Sequence, residues 1–409
     1  MQCRFCKTEL SNVFIDLVNS PASNSFLTIE QLNEPETFYP LKVYTCPKCF
    51  LVQVDEYKKS DAIFDSNYVY FSSYSTSWLQ HAKKYTDLMV DRFAFNDSSL
   101  VIEIASNDGY LLQYFKEKNI PVLGIEPTAN TAAAAKEKGI DSVIDFFGTR
   151  LATELTGKGA KADLLLGNNV LAHVPDLVDF VRGLKIALNE TGVITMEFPH
   201  LMQLVDNNQF DTIYHEHFSY LSFHTVKQIF ESEGLEMFDV EEILTHGGSL
   251  RIYAKHLHDS TKGISERVDD LLKKETEKGL TGLAYYDNFQ QKALKVKIDL
   301  TEFLIDQHRE GKKIAAYGAA AKGNTMLNYC GIKNDLISFV VDANPHKQNK
   351  FLPASHIPVV NEQFLKDAQP DYVIIFPWNI KDEIVKQLSY IRNWGGKFVV
   401  AVPSLQIID

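Results

Sequence analysis

Tyr214-His215-Glu216-His217 places four consecutive hydrogen-bonding or proton-handling side chains within the run Phe210 to Tyr220, framed by Phe210, Ile213, Phe218 and Tyr220. A frame of Phe, Ile and Tyr lowers the local dielectric and makes pKa values movable, which acid-base chemistry exploits. His has a pKa suited to a general base, and a neighbouring Glu can raise or orient it. A partly exposed polar loop is the blander reading of the same residues. A catalytic metal on this run is disfavoured, because H-E-x-x-H spacing is absent and adjacent residues do not easily chelate one ion.

A second constellation is Cys3, Cys6, Cys46 and Cys49, four of the five cysteines. Two C-x-x-C pairs separated by a loop suit a tetrahedral zinc site, each knuckle supplying two thiolates at about 2.3 Å from the metal. With no open position, such a zinc is structural. Disulfides would be the alternative, but a reducing compartment disfavours them. Cys330 is left over in an apolar stretch, where core packing is the expected role.

These groups need elements to position them. Residues 1 to about 60 read as a metal-held module with strand-like pieces at Leu41–Thr45 and Leu51–Val54. A loop dense in tyrosine follows, with Tyr68, Tyr70 and Tyr74, suited either to packing or to a polar small-molecule pocket. A helix is predicted from Trp78 to about Phe93. Ser99–Ala105 then has the apolar run of a buried parallel strand, followed by the turn Ser106-Asn107-Asp108-Gly109 and a helix. The next strand, Val122–Ile125, ends in Glu126, about twenty residues beyond the turn, where a carboxylate can accept hydrogen bonds from both ribose hydroxyls of an adenosine. On this pattern alone a dehydrogenase fits equally well, and only Gly109 remains of the usual glycines.

Further strands are predicted at Ser142–Asp145, Ala162–Gly167 and Val193–Phe198, alternating with helices, one of them Leu177 to Leu188. Repeated strand-helix units with doubly apolar strands predict a doubly wound parallel sheet, whose ligands lie beyond the carboxyl ends of its strands. His173 and the Tyr214–His217 loop both follow strand ends and can converge there. Residues 256 to about 310 read as connecting helices. Strands at Lys312–Gly318, Ile337–Asp342, Tyr372–Phe376 and Lys397–Ala401 predict a second nucleotide-binding-like α/β domain. Its first turn, Gly318 to Thr325, is not a phosphate loop, but small residues and one Lys at a helix N-terminus suit an anion.

The chain has 409 residues, enough for two or three domains, with 45% hydrophobic and 23% charged residues. A net charge of -12 argues against nucleic acid as the main partner. No run reaches the roughly 18 apolar residues of a membrane span, and Met1-Gln2-Cys3-Arg4 lacks a signal peptide's apolar core, so a cytoplasmic location is expected.

Together the pieces resemble the zinc-containing sugar C-methyltransferases, which use S-adenosylmethionine to methylate C3 of deoxy-4-keto nucleotide sugars. The resemblance rests on the cysteine pairs, Val101–Gly109, Tyr214–His217, His246-Gly247-Gly248-Ser249-Leu250-Arg251 and Tyr317–Asn324, all in order over nearly the whole chain. One departure is Ala105, where such turns usually have Gly. The resemblance implies an α/β chain with a zinc module and Tyr-rich loop at 1–75, a Rossmann-like methyltransferase domain at 76–255, and a helical connector with a nucleotide-sugar-binding α/β domain at 256–409. It also implies that Glu103, Ser106, Asn107, Asp108, Gly109 and Asn168 lie along the cofactor, with Asn168 near its methionine portion. Glu126 would hold the ribose, and Asp145 with Phe146 would border the adenine. His217 would remove the C3 proton, Glu216 and Tyr214 would orient base or sugar, and His173 would help bind the 4-keto oxygen. Tyr68, Arg251, Lys322, Asn324, Thr325 and His346 would contact the nucleotide sugar. Methylation of oxygen or nitrogen, and non-catalytic nucleotide-sugar binding, are the competing readings.

Overall fold

The computed structural model describes residues 1–59 and 70–409. Two compact units account for them, and the chain crosses between the units several times. The first unit comprises Met1–Asn12, Thr45–Met202 and Phe218–Tyr285; the second comprises Val13–Tyr44, Gln203–His217 and Tyr286–Asp409.

The first unit is built on a seven-stranded sheet in the order Leu235–Ile243, Ser249–His256, Leu188–Pro199, Ala162–Asn168, Val101–Ile104, Val122–Ile125, Ser142–Val143. The last five run parallel. Burial on both faces explains their apolar runs, with Val101, Ile102 and Leu164 to Leu166 fully enclosed. The helix Thr76–Phe93 is capped by Ser75, whose hydroxyl accepts from the Trp78 amide, and it buries Trp78, Ala82, Tyr85 and Met89 at helical spacing.

The expectation of an all-parallel sheet needs amending. Ser249–His256 pairs antiparallel with both Leu188–Pro199 and Leu235–Ile243. The outer strand carries Glu236, Asp239, Glu241 and Glu242, which hide its strand pattern in the sequence. Arginines compensate them: Arg92 and Arg267 reach Asp239, and Arg251 reaches Glu241. Carboxylates are thereby tolerated on a sheet that buries Asp239.

The second unit has a six-stranded sheet in the order Val359–Val360, Val340–Val341, Ile314–Tyr317, Tyr372–Ile375, Lys397–Val400, Gln406–Ile408, parallel except for its last strand. The run predicted as a strand from Ile337 pairs only at Val340–Val341. The connector contains helices Glu266–Lys278 and Phe289–Arg309, the first packing in unit one and the second in unit two. No described helix is long and apolar enough to cross a membrane.

Candidate active site

In the first unit, polar groups gather at the carboxyl ends of the central strands. The turn after Val101–Ile104 holds Ala105 and Asn107 at φ of 56° and 50° and Gly109 at 73°. This left-handed excursion turns the Asn107 amide toward the Glu126 carboxylate, which accepts from it at 2.9 Å and from the Thr128 amide at 2.9 Å. Burial pushes the Glu126 carboxyl up, opposed by these hydrogen bonds. Asn107 accepts from the Ser72 amide at 2.9 Å and Asp108 from the Ser73 amide at 3.2 Å, tying the end of the tyrosine-rich loop to the turn.

Around this turn several buried polar atoms are left short of full hydrogen bonding among the described residues: Ser106 Oγ, Asp108 Oδ1, and the side chains of Glu103 and Asn168, which have the Tyr110 hydroxyl nearby. Burial holds the Glu103 carboxyl well above the usual carboxylate range, opposed by the neighbouring Tyr110 hydroxyl. Gly124 permits this crowding, since a Cβ there would lie 2.5 Å from Ser106 Oγ and 2.6 Å from Ser142 Oγ. Asp145 accepts from the Phe146 amide at 2.8 Å and pairs with Arg150 at 2.6 Å, and Phe146 is exposed. His173 ends the 3-10 turn Leu171–His173 and is partly exposed.

Arg251 is buried and engaged by two carboxylates, Glu197 at 2.6 Å and Glu241 at 3.0 Å. Glu197 also meets His81 Nε2 at 2.7 Å. Against its burial, His81 and Arg251 hold the Glu197 carboxyl below the usual range. Trp78 stacks on His81 at 4.9 Å and on Tyr110 at 5.9 Å, and His246, 2.9 Å from Asn169, meets its edge.

In the second unit, the Phe210–Thr212 turn leads into Tyr214–His217. His217 Nδ1 lies 2.8 Å from the Thr212 carbonyl oxygen, an atom that only accepts, so Nδ1 carries the proton. Nε2 therefore presents its lone pair, and the Tyr214 hydroxyl donates to it at 2.8 Å. Glu216 is buried, and both of its carboxylate oxygens accept from one nitrogen, Asn24 Nδ2, at 2.8 and 2.9 Å. His215 donates to the Pro40 carbonyl at 3.1 Å and meets the Tyr39 ring edge-on, so it anchors the loop.

Helix Ala321–Cys330 supports the same loop. Thr325 Oγ1 donates to the Ile213 carbonyl at 2.8 Å, Asn324 Nδ2 to the Ser23 carbonyl at 2.6 Å, and Lys322 Nζ to Asn379 Oδ1 at 2.7 Å. His346 is exposed, its amide donating to Asn344 Oδ1 at 2.9 Å. Tyr68 lies outside the described residues.

The four cysteine sulfurs lie within 4.8 Å of one another, with Cys3 and Cys49 3.6 Å apart and Cys6 and Cys46 3.5 Å apart. Four sulfurs around a tetrahedral zinc would be separated by about 3.8 Å.

Comparison with known proteins divides the chain into three consecutive stretches. Residues 3–64 match a family described as a zinc binding domain, 78–240 a methyltransferase domain, and 244–403 a C-methyltransferase C-terminal domain. C-methyltransferase NovU of Streptomyces niveus is 31% identical over 408 residues, spanning 100% of this chain and 97% of that protein. The chain belongs to the zinc-binding C-methyltransferases. A solved methyltransferase from Anabaena variabilis is 16% identical over 43% of this chain and 85% of its own, with a TM-score of 0.36. Magnesium protoporphyrin IX methyltransferase from Synechocystis is 14% identical over 43% of this chain and 78% of its own, with a TM-score of 0.33.

The methyltransferase depends on S-adenosylmethionine, and its residues fit that group. The incompletely hydrogen-bonded atoms of Glu103, Asp108 and Asn168 are of the kind an ammonium and carboxylate would satisfy. The four thiols, all within 4.8 Å of one another, fit a closed structural zinc. The sequence reading of this enzyme missed Asn24, His81, Glu197, Asp211 and Trp378. None belongs to a motif, and each becomes visible only through a partner distant in the chain. An acid beside the aromatic Phe210 was the one signal for Asp211.

Proposed function

We propose that the enzyme transfers a methyl group to C3 of a nucleoside-diphosphate 4-keto-deoxysugar through an enolate, with His217 as the base. The observation that carries this reading is the fixed tautomer of His217: Nδ1–H bound to the Thr212 carbonyl and the Nε2 lone pair turned to the Tyr214 hydroxyl. Such a nitrogen can take the C3 proton, leaving the electron pair as a C3–C4 enolate, and then lose the proton to water. Tyr214 can give its hydrogen bond to the sugar once Nε2 is engaged, and Glu216, held by Asn24, orients the loop.

S-adenosylmethionine, when bound, supplies the methyl group that the enolate carbon takes. Glu126 would hold its ribose, Asn168 and Glu103 its methionine end, and Asp145 with Phe146 its adenine. Fixing both reactants contributes roughly 7 to 11 kcal/mol to such a reaction.

The test is a panel of deoxy-4-keto nucleotide sugars with labelled S-adenosylmethionine in heavy water. Expected are a C3-methyl product by NMR and deuterium entering at C3. A methyl group on oxygen or nitrogen would replace this reading. H217A should abolish both transfer and exchange while S-adenosylmethionine affinity by calorimetry stays unchanged; retained turnover would remove the base assignment.

A further inference from the structure

We propose that Asp211, Trp378 and Lys322 form a relay that positions the His217 loop, with Asp211 as a positioning residue for the reaction. It rests on the reading of His217 as the base. All three residues belong to the second unit. Asp211 lies in the 3-10 turn Phe210–Thr212, one residue before the carbonyl that fixes His217. Its Oδ2 accepts from Trp378 Nε1 at 2.7 Å. Lys322 Nζ lies over the Trp378 ring, 4.6 Å from its centre, and is held by Asn379 next in the chain. One indole thus joins the carboxylate under the catalytic loop to a cation on helix Ala321–Cys330.

Asp211 is 2% exposed, and its Oδ1 has no partner among the described residues. A buried carboxylate with one oxygen unsatisfied is a poor way to hold a loop for stability alone. A neutral acceptor would anchor Trp378 at lower cost. Its retention makes sense where the charge sets the geometry of Thr212 and, through it, of the base. Burial raises the Asp211 carboxyl from 3.8 to about 6, against the charge of Lys322 and the Trp378 hydrogen bond. The titratable groups acting on it from the packed helix are Lys322 and Cys330, and Lys297 of helix Phe289–Arg309 acts on Cys330. Desolvation lowers Lys322, and Asp211 opposes that.

Because its folded pKa is raised, Asp211 contributes stability that is present below pH 3.8 and lost as pH rises through about 6. D211N should therefore melt at a higher temperature than the parent at pH 8 and lose that advantage near pH 4. Its kcat should nevertheless fall roughly 10- to 100-fold, with the KM for S-adenosylmethionine unchanged. The acid limb of log kcat against pH should be less steep in D211N than in the parent, because the requirement for ionised Asp211 is gone. W378F, which removes the hydrogen bond but keeps the acid, should show the same loss of kcat.

Parental kcat in both variants, an acid limb equally steep in the parent and D211N, or a lowered melting temperature of D211N at every pH would overturn the relay. Deuterium exchange separates this from the base assignment. Exchange lost in H217A but normal in D211N sinks the relay alone, whereas exchange retained in H217A sinks the base reading itself.

Discussion

His217 is poised by two hydrogen bonds, from its own Nδ1 to a carbonyl five residues earlier and from a tyrosine three residues earlier, so its tautomer is set within the loop. Glu216 differs, since its carboxylate depends on Asn24, 192 positions away in sequence. N24A should lower kcat about 10-fold and cost roughly 1 to 3 kcal/mol of stability, read by steady-state assay and thermal melt. N24D, which sets a second carboxylate against the first, should be worse than N24A in both measurements. For Asp211 the rise from 3.8 to about 6 corresponds to a stability cost on the order of 3 kcal/mol above pH 6, which bounds the gain from D211N.

At the scale of the element, the turn after the strand Val101–Ile104 does the most with the fewest residues. It holds two non-glycine residues at positive φ and leaves polar atoms of Glu103, Ser106 and Asp108 short of full hydrogen bonding. G124A, on the neighbouring strand, should press a methyl group against Ser106 and Ser142, costing roughly 1 to 3 kcal/mol and weakening S-adenosylmethionine binding by calorimetry. The parallel strands, this turn and the acid after the second strand were legible because doubly buried strands write themselves as apolar runs. The antiparallel strand Leu235–Ile243 was not, since its carboxylates are answered by Arg92 and Arg267 from helices and by Arg251 from the adjacent strand Ser249–His256. The same limit hid Asn24 and Trp378. Their partners in the Phe210–His217 segment are fixed by the fold, and no local pattern announces them.

For the whole molecule, the four zinc cysteines lie in the first unit, where Arg4 donates to the Pro175 carbonyl at 2.8 Å and Thr225 to the Cys49 carbonyl at 3.0 Å. Metal analysis should find one zinc for the single cluster of four thiols. Chelation, or C46S, should lower the melting temperature, because metal binding contributes folding free energy here. Turnover counted per zinc-loaded chain should stay constant, as a closed site takes no part in the chemistry.

The excursion of Val13–Tyr44 into the second unit sets the order of events during synthesis. Phe14 stacks on Phe289 at 4.5 Å, the Asp16 amide donates to Gln290 at 2.7 Å, and Leu27 exchanges backbone hydrogen bonds with Phe351. An N-terminal stretch that leaves the ribosome early must wait for partners made more than 270 residues later. Closing such long loops is slow, and apolar side chains stay uncovered meanwhile. The two cysteine knuckles flank this waiting segment, so zinc captured by the nascent chain would tether both of its ends before the rest of its unit exists.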